Sequence, residues 1–199
     1  MVPPVPKNIL IIDGHPDSSP ERFDHALAAS YLAGARSAGH EVQKVNIATL
    51  DFPWLKSGGD FFQGKPPQVI TKQQELFRWA DHVVIVFPLW LGAMPALLKA
   101  YFEQVLRPGF AYAEAKGREL PKGLLAGRTA RVFVTMGMPA LFYTLVYRAH
   151  SLKSLERNIL GFVGFKPIHA TVIGNIEGLS AKRRKEILAE GARLGAQAG

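Results

Sequence analysis

The chain has 199 residues, 48% hydrophobic and 20% charged, close to the globular average and long enough to bury a full core without covalent staples. It contains no cysteine, which excludes disulfides, thiolate metal sites and cysteine nucleophiles and fits a cytoplasmic setting. The net charge of +8 admits nucleic acid, an anionic membrane surface or an anionic cofactor, and does not choose among them.

Residues 1–7 carry three prolines and lack the apolar stretch of a signal peptide or a membrane span, so they read as a flexible lead-in to one domain over 8–199. Asn8-Ile9-Leu10-Ile11-Ile12-Asp13 is a continuous apolar run ending in Asp and Gly, as expected of a buried parallel strand. From Glu21 to Ala38, Phe23, Leu27, Tyr31 and Gly34 recur near helical spacing, and Gly39 ends the segment. Glu41 to Ile47 alternates as a second strand, and Leu50 to Gln68 is a long irregular connection.

Thr71 is placed to cap a helix running to Trp79 and Ala80. His82 to Pro88 is a third strand, and Pro95 to Leu106 a helix followed by a flexible stretch at Lys116-Gly117. Thr129 to Thr135 is the fourth strand, Leu141 to Leu160 a long helix, Ile168 to Ile173 the fifth strand, and Ser180 opens the last helix. This alternation predicts right-handed crossovers and a parallel α/β sheet with helices on both faces. The basic run Lys182-Arg183-Arg184-Lys185 has no interleaved aromatics and reads as a solvated helix face rather than a nucleic-acid patch.

In such a sheet ligands bind beyond the carboxyl ends of strands, next to the reversal of strand order. Three loops qualify. In the first, His15, Ser18, Ser19 and Arg22 could all donate to a phosphate at a helix N-terminus, although the serines fit plain helix caps as well. It matches neither GxGxxG nor GxxxxGK[ST]. In the second, Pro88, Leu89, Trp90 and Leu91 with Gly92 offer an apolar slot for a flat ligand, with Trp90 as core the competing reading. The third, Thr135, Met136 and Gly137, faces the same crevice.

Taken together, Ile11-Ile12-Asp13-Gly14-His15-Pro16, Phe87-Pro88-Leu89-Trp90 with Gly92-Ala93-Met94-Pro95, Gly109-Phe110-Ala111-Tyr112 and Thr135-Met136-Gly137 resemble the NAD(P)H:quinone oxidoreductase family. That family includes modulator-of-drug-activity proteins and the ancillary oxidoreductases of potassium-efflux systems. The resemblance implies a flavodoxin-like five-stranded sheet of order 2-1-3-4-5, a non-covalent FMN or FAD, NAD(P)H as co-substrate, a quinone-like acceptor, a homodimer and no membrane insertion. It assigns His15, Ser18 or Ser19, Phe23 and Asp24 to the phosphate side, with Asp24 where Asn is common. Pro88, Leu89, Trp90 and Leu91 would line the isoalloxazine, and Thr135, Met136 and Gly137 would close its far edge. Backbone amides from Leu89 to Leu91 and near Gly137 would stabilise charge on the reduced ring.

The family's Thr-Thr-Gly-Gly turn is replaced by Thr135-Met136-Gly137-Met138, and Tyr143, Tyr147 and His150 are the only nearby candidates for a proton relay. An alternative function is a flavin- or nucleotide-binding regulatory subunit of a membrane transporter. The protein lacks a Gly-x-Ser-x-Gly elbow, which disfavours hydrolase chemistry.

Overall fold

A computed structural model describes residues 5–115 and 120–199. Most of the proline-rich lead-in and the stretch at Lys116-Gly117 therefore lie outside the described residues. Lys7 is already tied to the fold, its amide donating to His40 Nδ1 at 3.1 Å.

The sheet strands are β1 (Asn8–Asp13), β2 (Glu41–Asn46), β3 (His82–Pro88), β6 (Thr129–Thr135) and β7 (Ile168–Ile173), with the short pair β4 (Tyr112–Ala113) and β5 (Lys122–Gly123) forming a separate hairpin. The five run parallel in the order β2-β1-β3-β6-β7, which is the expected 2-1-3-4-5 arrangement with the hairpin interposed in sequence. The fold is flavodoxin-like.

Alternation along the strands builds two cores. Ile9 and Ile11 of β1, Val84 and Val86 of β3 and Phe133 of β6 pack beneath helices α1 (Phe23–Ser37) and α7 (Ala181–Gln197). Leu10, Ile12, Val83, Ile85 and Val132 face the other way, against α3 (Gln68–Trp79), α4 (Ala96–Val105) and the segment around Leu155. Helices α1 and α7 meet backbone to backbone. A Cβ on Gly34 would lie 1.9 Å from the Ala192 carbonyl oxygen, and one on Gly195 would lie 2.2 Å from that of Tyr31.

Three expectations need correction. Helix α3 begins at Gln68, not Thr71, because Pro67 with φ −63° already stands at the N-cap, and the Thr71 hydroxyl donates back to the Pro67 carbonyl. The connection over 50–68 contains helix α2 (Gly58–Phe62), capped by the Ser57 oxygen accepting from the Asp60 amide and pinned by Arg107 Nη1 to the Asp60 and Gly64 carbonyls at 2.8 and 2.9 Å. The long helix over 141–160 is broken into α5 (Ala140–Leu145), α6 (His150–Ser154) and a π-helical segment from Leu155, because Arg148 and Ala149 both take positive φ, 51° and 49°. Ser180 caps α7 through the Arg183 amide, as its position suggested. Among the described residues no helix is long and apolar enough to cross a membrane.

Candidate functional site

The strand register brings the three loops to one edge. Asp13 pairs with Val86, and Pro88 pairs with Thr135, so the loops leaving β1, β3 and β6 open side by side beyond the ends of the sheet. Between them lies a cavity of about 560 Å³. His15, Asp17, Arg22 and Asp24 line its polar end, Pro88, Leu89 and Trp90 its apolar end, and Thr135, Met136 and Gly137 its third wall. Gly14 makes the tight exit from β1 possible. Its amide donates to the Val86 carbonyl at 2.7 Å, and a Cβ there would meet the same oxygen at 2.9 Å.

At the polar end, His15 is buried and its Nδ1 lies 3.0 Å from the Asp17 amide and 3.1 Å from the Asp17 carbonyl. An amide can only donate, so Nδ1 accepts and the ring proton stays on Nε2, free for the cavity. Burial lowers the His15 pKa, which keeps the ring neutral. Arg22 is held by Asp17 through Nε at 2.7 Å and Nη2 at 2.5 Å. The Ser19 amide, then the Ser19 hydroxyl and Arg22, hold the Asp17 carboxyl well below the usual range.

The serines behave differently from either expectation. Helix α1 starts with Arg22 at its N-cap and no side-chain cap, so Ser18 and Ser19 do not cap it, and neither lines the cavity. Ser18 is exposed, whereas Ser19 is half-buried with its amide donating to Asp17 Oδ1.

Beneath this loop is a charge network that sequence reasoning missed. Asp13 is fully buried, with His25 Nδ1 at 2.8 and 2.9 Å from its two oxygens and Lys44 Nζ at 3.2 Å. His25 Nε2 lies 2.9 Å from the Asp17 carbonyl. Both ring nitrogens of His25 therefore have oxygen partners. The imidazole thereby ties the floor of the site to the crest of the loop that carries His15. Asp13 ends a strand, and its pairing with a residue twelve positions on and another on β2 has no sequence periodicity to announce it.

At the apolar end, Trp90 is half exposed and meets the His15 ring edge-on at 5.9 Å, so it belongs to the site and not to the core. The Leu89 amide donates to the Thr135 carbonyl at 2.7 Å, and the Trp90 amide to the Ala93 carbonyl at 2.9 Å. These two amides are consumed by the fold, which corrects the expectation that they face a reduced ring. Among the described residues the amides of Leu91 and Gly137 have no protein acceptor. Leu91 adopts φ 48°, is fully exposed and lines a neighbouring cavity rather than this one, unlike Pro88, Leu89 and Trp90. Buried Thr135 donates its hydroxyl to both Asp24 oxygens at 3.0 Å, and burial, with the Asp13 carboxylate adding to it against the opposing Thr135 bond, pushes the Asp24 carboxyl up to about 6.

The relay candidates stay together, outside the main cavity. Tyr143 is buried and its hydroxyl oxygen accepts from the Leu152 amide at 3.2 Å, a structural role. It nevertheless lines, with Tyr147, His150, Leu91 and Met138, an adjoining cavity of about 460 Å³ outside the first. Two further residues in the main cavity, Glu177 and Arg184, come from the loop after β7 and the start of α7, where the sequence suggested only a solvated basic face. Arg184 stacks over Phe23 at 5.4 Å and donates to the Ile176 and Leu179 carbonyls.

The residues fit a flavin. The cavity has the size of a cofactor site and joins a donor-rich end at a helix N-terminus to a flat apolar slot. A family model described as a flavodoxin-like fold matches residues 7–197. The rat NAD(P)H dehydrogenase [quinone] 1 is 25% identical over 92% of this chain and 74% of its own length. FMN-dependent NADH:quinone oxidoreductase 3 of Pseudomonas aeruginosa is 36% identical over 53% of this chain and 46% of that protein. Among solved structures, the NAD(P)H:quinone oxidoreductase of Methanothermobacter marburgensis superposes with a TM-score of 0.79 at 21% identity, covering 96% of each chain.

Proposed function

Because this chain belongs to the flavodoxin-like fold family, we propose that it is a flavin-dependent NAD(P)H oxidoreductase reducing quinone-type acceptors. The observation that carries this reading is the single cavity at the ends of β1, β3 and β6, donor-rich at the His15 loop and apolar at Pro88, Leu89 and Trp90. The relatives named for NAD(P)H, quinone and FMN support it. They give no support to the alternative of a transporter-controlling subunit.

A bound flavin supplies hydride transfer from nicotinamide and onward delivery to the acceptor. The chain itself has the simpler tasks. His15 Nε2–H and the α1 N-terminus bind phosphate, and Pro88, Leu89 and Trp90 exclude water from one side of a flat ring. The amide of Gly137, in the cavity wall and without a protein acceptor among the described residues, would take negative charge at the ring's edge. Ser18 and Ser19 have no part in this reading.

The mononucleotide is supported by the FMN-dependent relative. One observation favours the dinucleotide instead: the cavity continues past the loop to Phe23, Ile176, Glu177 and Arg184, room that an adenylyl group would occupy. A homodimer is supported by the exposed apolar residues Leu141, Leu145 and Val146 on α5 and just after it, whose chain neighbours Tyr143 and Tyr147 line the adjoining cavity with exposed Leu91. Heat release of the cofactor from purified protein, followed by chromatography, tests the reading. FMN or FAD in the supernatant, with NAD(P)H oxidation that depends on a quinone, supports it. Protein that binds neither flavin and leaves NAD(P)H unoxidised refutes it.

A further inference from the structure

Four carboxylates line the main cavity among the described residues, and only Asp24 is nearly out of water, at 4% exposure. Asp17 is spent on Arg22, while Glu21 and Glu177 are exposed. No cation is paired with Asp24 among the described residues, because Asp13 takes both His25 and Lys44. Its hydrogen-bonding partner across the sheet edge is the Thr135 hydroxyl, which lies 3.0 Å from each carboxylate oxygen. Besides that one hydroxyl it has its own backbone N–H and no cationic partner among the described residues, so the group is poorly compensated as an anion.

A flavin brings further negative charge and excludes water from the same space. Both effects disfavour a second anion there. We propose that Asp24 takes up one proton from solvent as the flavin binds, and that the resulting carboxyl donates to Thr135 Oγ1, turning the Thr135 hydroxyl hydrogen toward the cofactor. The inference rests on the flavin reading above. No covalent bond other than the new O–H is made or broken.

The groups facing Asp24 agree with this direction. Burial already raises its pKa to about 6, with repulsion from Asp13 on β1 adding to it, against the Thr135 bond, its own backbone N–H and His25 on its own helix. His15, Arg22 and Arg184 also face the cavity, but Arg22 is paired with Asp17 and Arg184 with backbone carbonyls. Only a modest further push is needed to keep the carboxyl protonated at neutral pH.

The test is calorimetric titration of FMN and of FAD into the apoprotein at pH 6, 7 and 8, in buffers of different ionisation enthalpy. Parent and Asp24→Asn are compared, because a phosphate whose second pKa is about 6, and His15, titrate equally in both. The parent should take up most of one proton more per flavin at pH 7 than Asp24→Asn. Its Kd should rise at least about tenfold more than the variant's between pH 6 and 8, as one-proton linkage requires. Thr135→Val should lose affinity at pH 6 and Thr135→Ser should retain it. Equal proton uptake and parallel Kd profiles would overturn the inference while leaving the flavin reading intact. Failure of both proteins to bind any flavin at any pH would overturn both.

Discussion

Nδ1 of His25 lies 2.8 Å from one oxygen of the fully buried Asp13 carboxylate and 2.9 Å from the other, while its Nε2 reaches the Asp17 carbonyl in the loop above. The pair links the end of β1 to the loop that presents His15. Asp13→Asn replaces one oxygen by an NH₂ group that faces two donors, His25 and Lys44, and should cost about 3 kcal/mol, as removing one partner of a buried pair does. Urea unfolding checks this. His25→Ala, with the loop unsupported, should weaken flavin binding by about tenfold, as one lost charge-assisted bond implies. Fluorescence titration of the apoprotein with flavin measures it.

Asp24 predicts how stability varies with pH. Its ordinary value of 3.8 applies to the unfolded chain, and its native value is about 6. The native state holds the proton more tightly, so the stability that Asp24 contributes is fully present below pH 4 and lost as pH rises through 6. The difference corresponds to about 3 kcal/mol. Asp24→Asn should therefore gain up to about 3 kcal/mol over the parent at pH 7.5 and match it more closely at pH 4. Chemical denaturation of the apoproteins at both pH values gives the comparison.

Helix α1 passes α7 too closely for any side chain at Gly34. Gly34→Ala gains helix propensity but drives a methyl group into the Ala192 backbone, and the clash prevails. Backbone displacement of this kind costs about 3 kcal/mol, seen as a lowered Tm in thermal unfolding. Ala33→Gly, an exposed neighbour on the same helix, should lose only about 1 kcal/mol.

The apolar flank formed by Leu141, Leu145 and Val146 lies on the short helix α5 and just after it, and its chain neighbours Tyr143 and Tyr147 line the adjoining cavity with exposed Leu91. Leu145→Asp should shift the proposed dimer toward monomer in sedimentation velocity, without loss of the far-ultraviolet helix signal. A parent protein that sediments as a monomer at all concentrations would contradict the dimer.

The sheet was legible from the sequence because buried parallel strands announce themselves as unbroken apolar runs, and Asn8–Asp13, His82–Pro88 and Thr129–Thr135 are such runs. The site's frame was legible for the same reason, since strand ends fix which loops can meet. The break after Leu145 was not, because it depends on two consecutive left-handed residues that are not glycine. Nor was the floor of the site. Asp13, His25 and Lys44 come from a strand end, a helix and a neighbouring strand, and only the parallel pairing of β1 with β2 puts Lys44 beside Asp13. Arg184 was hidden in a basic run whose other members, Lys182, Arg183 and Lys185, are exposed as a solvated face would be, and Glu177 stands in the loop before it.

Anaerobic spectroscopy of the purified protein, reconstituted with whichever flavin it releases on heating, tests the central claim most directly. Addition of NAD(P)H should bleach the flavin's visible bands, and a stoichiometric quinone should restore them within the time of one turnover. A flavin that stays oxidised with excess NADH and NADPH, or that is reduced but returns no electrons to a quinone, would contradict the account.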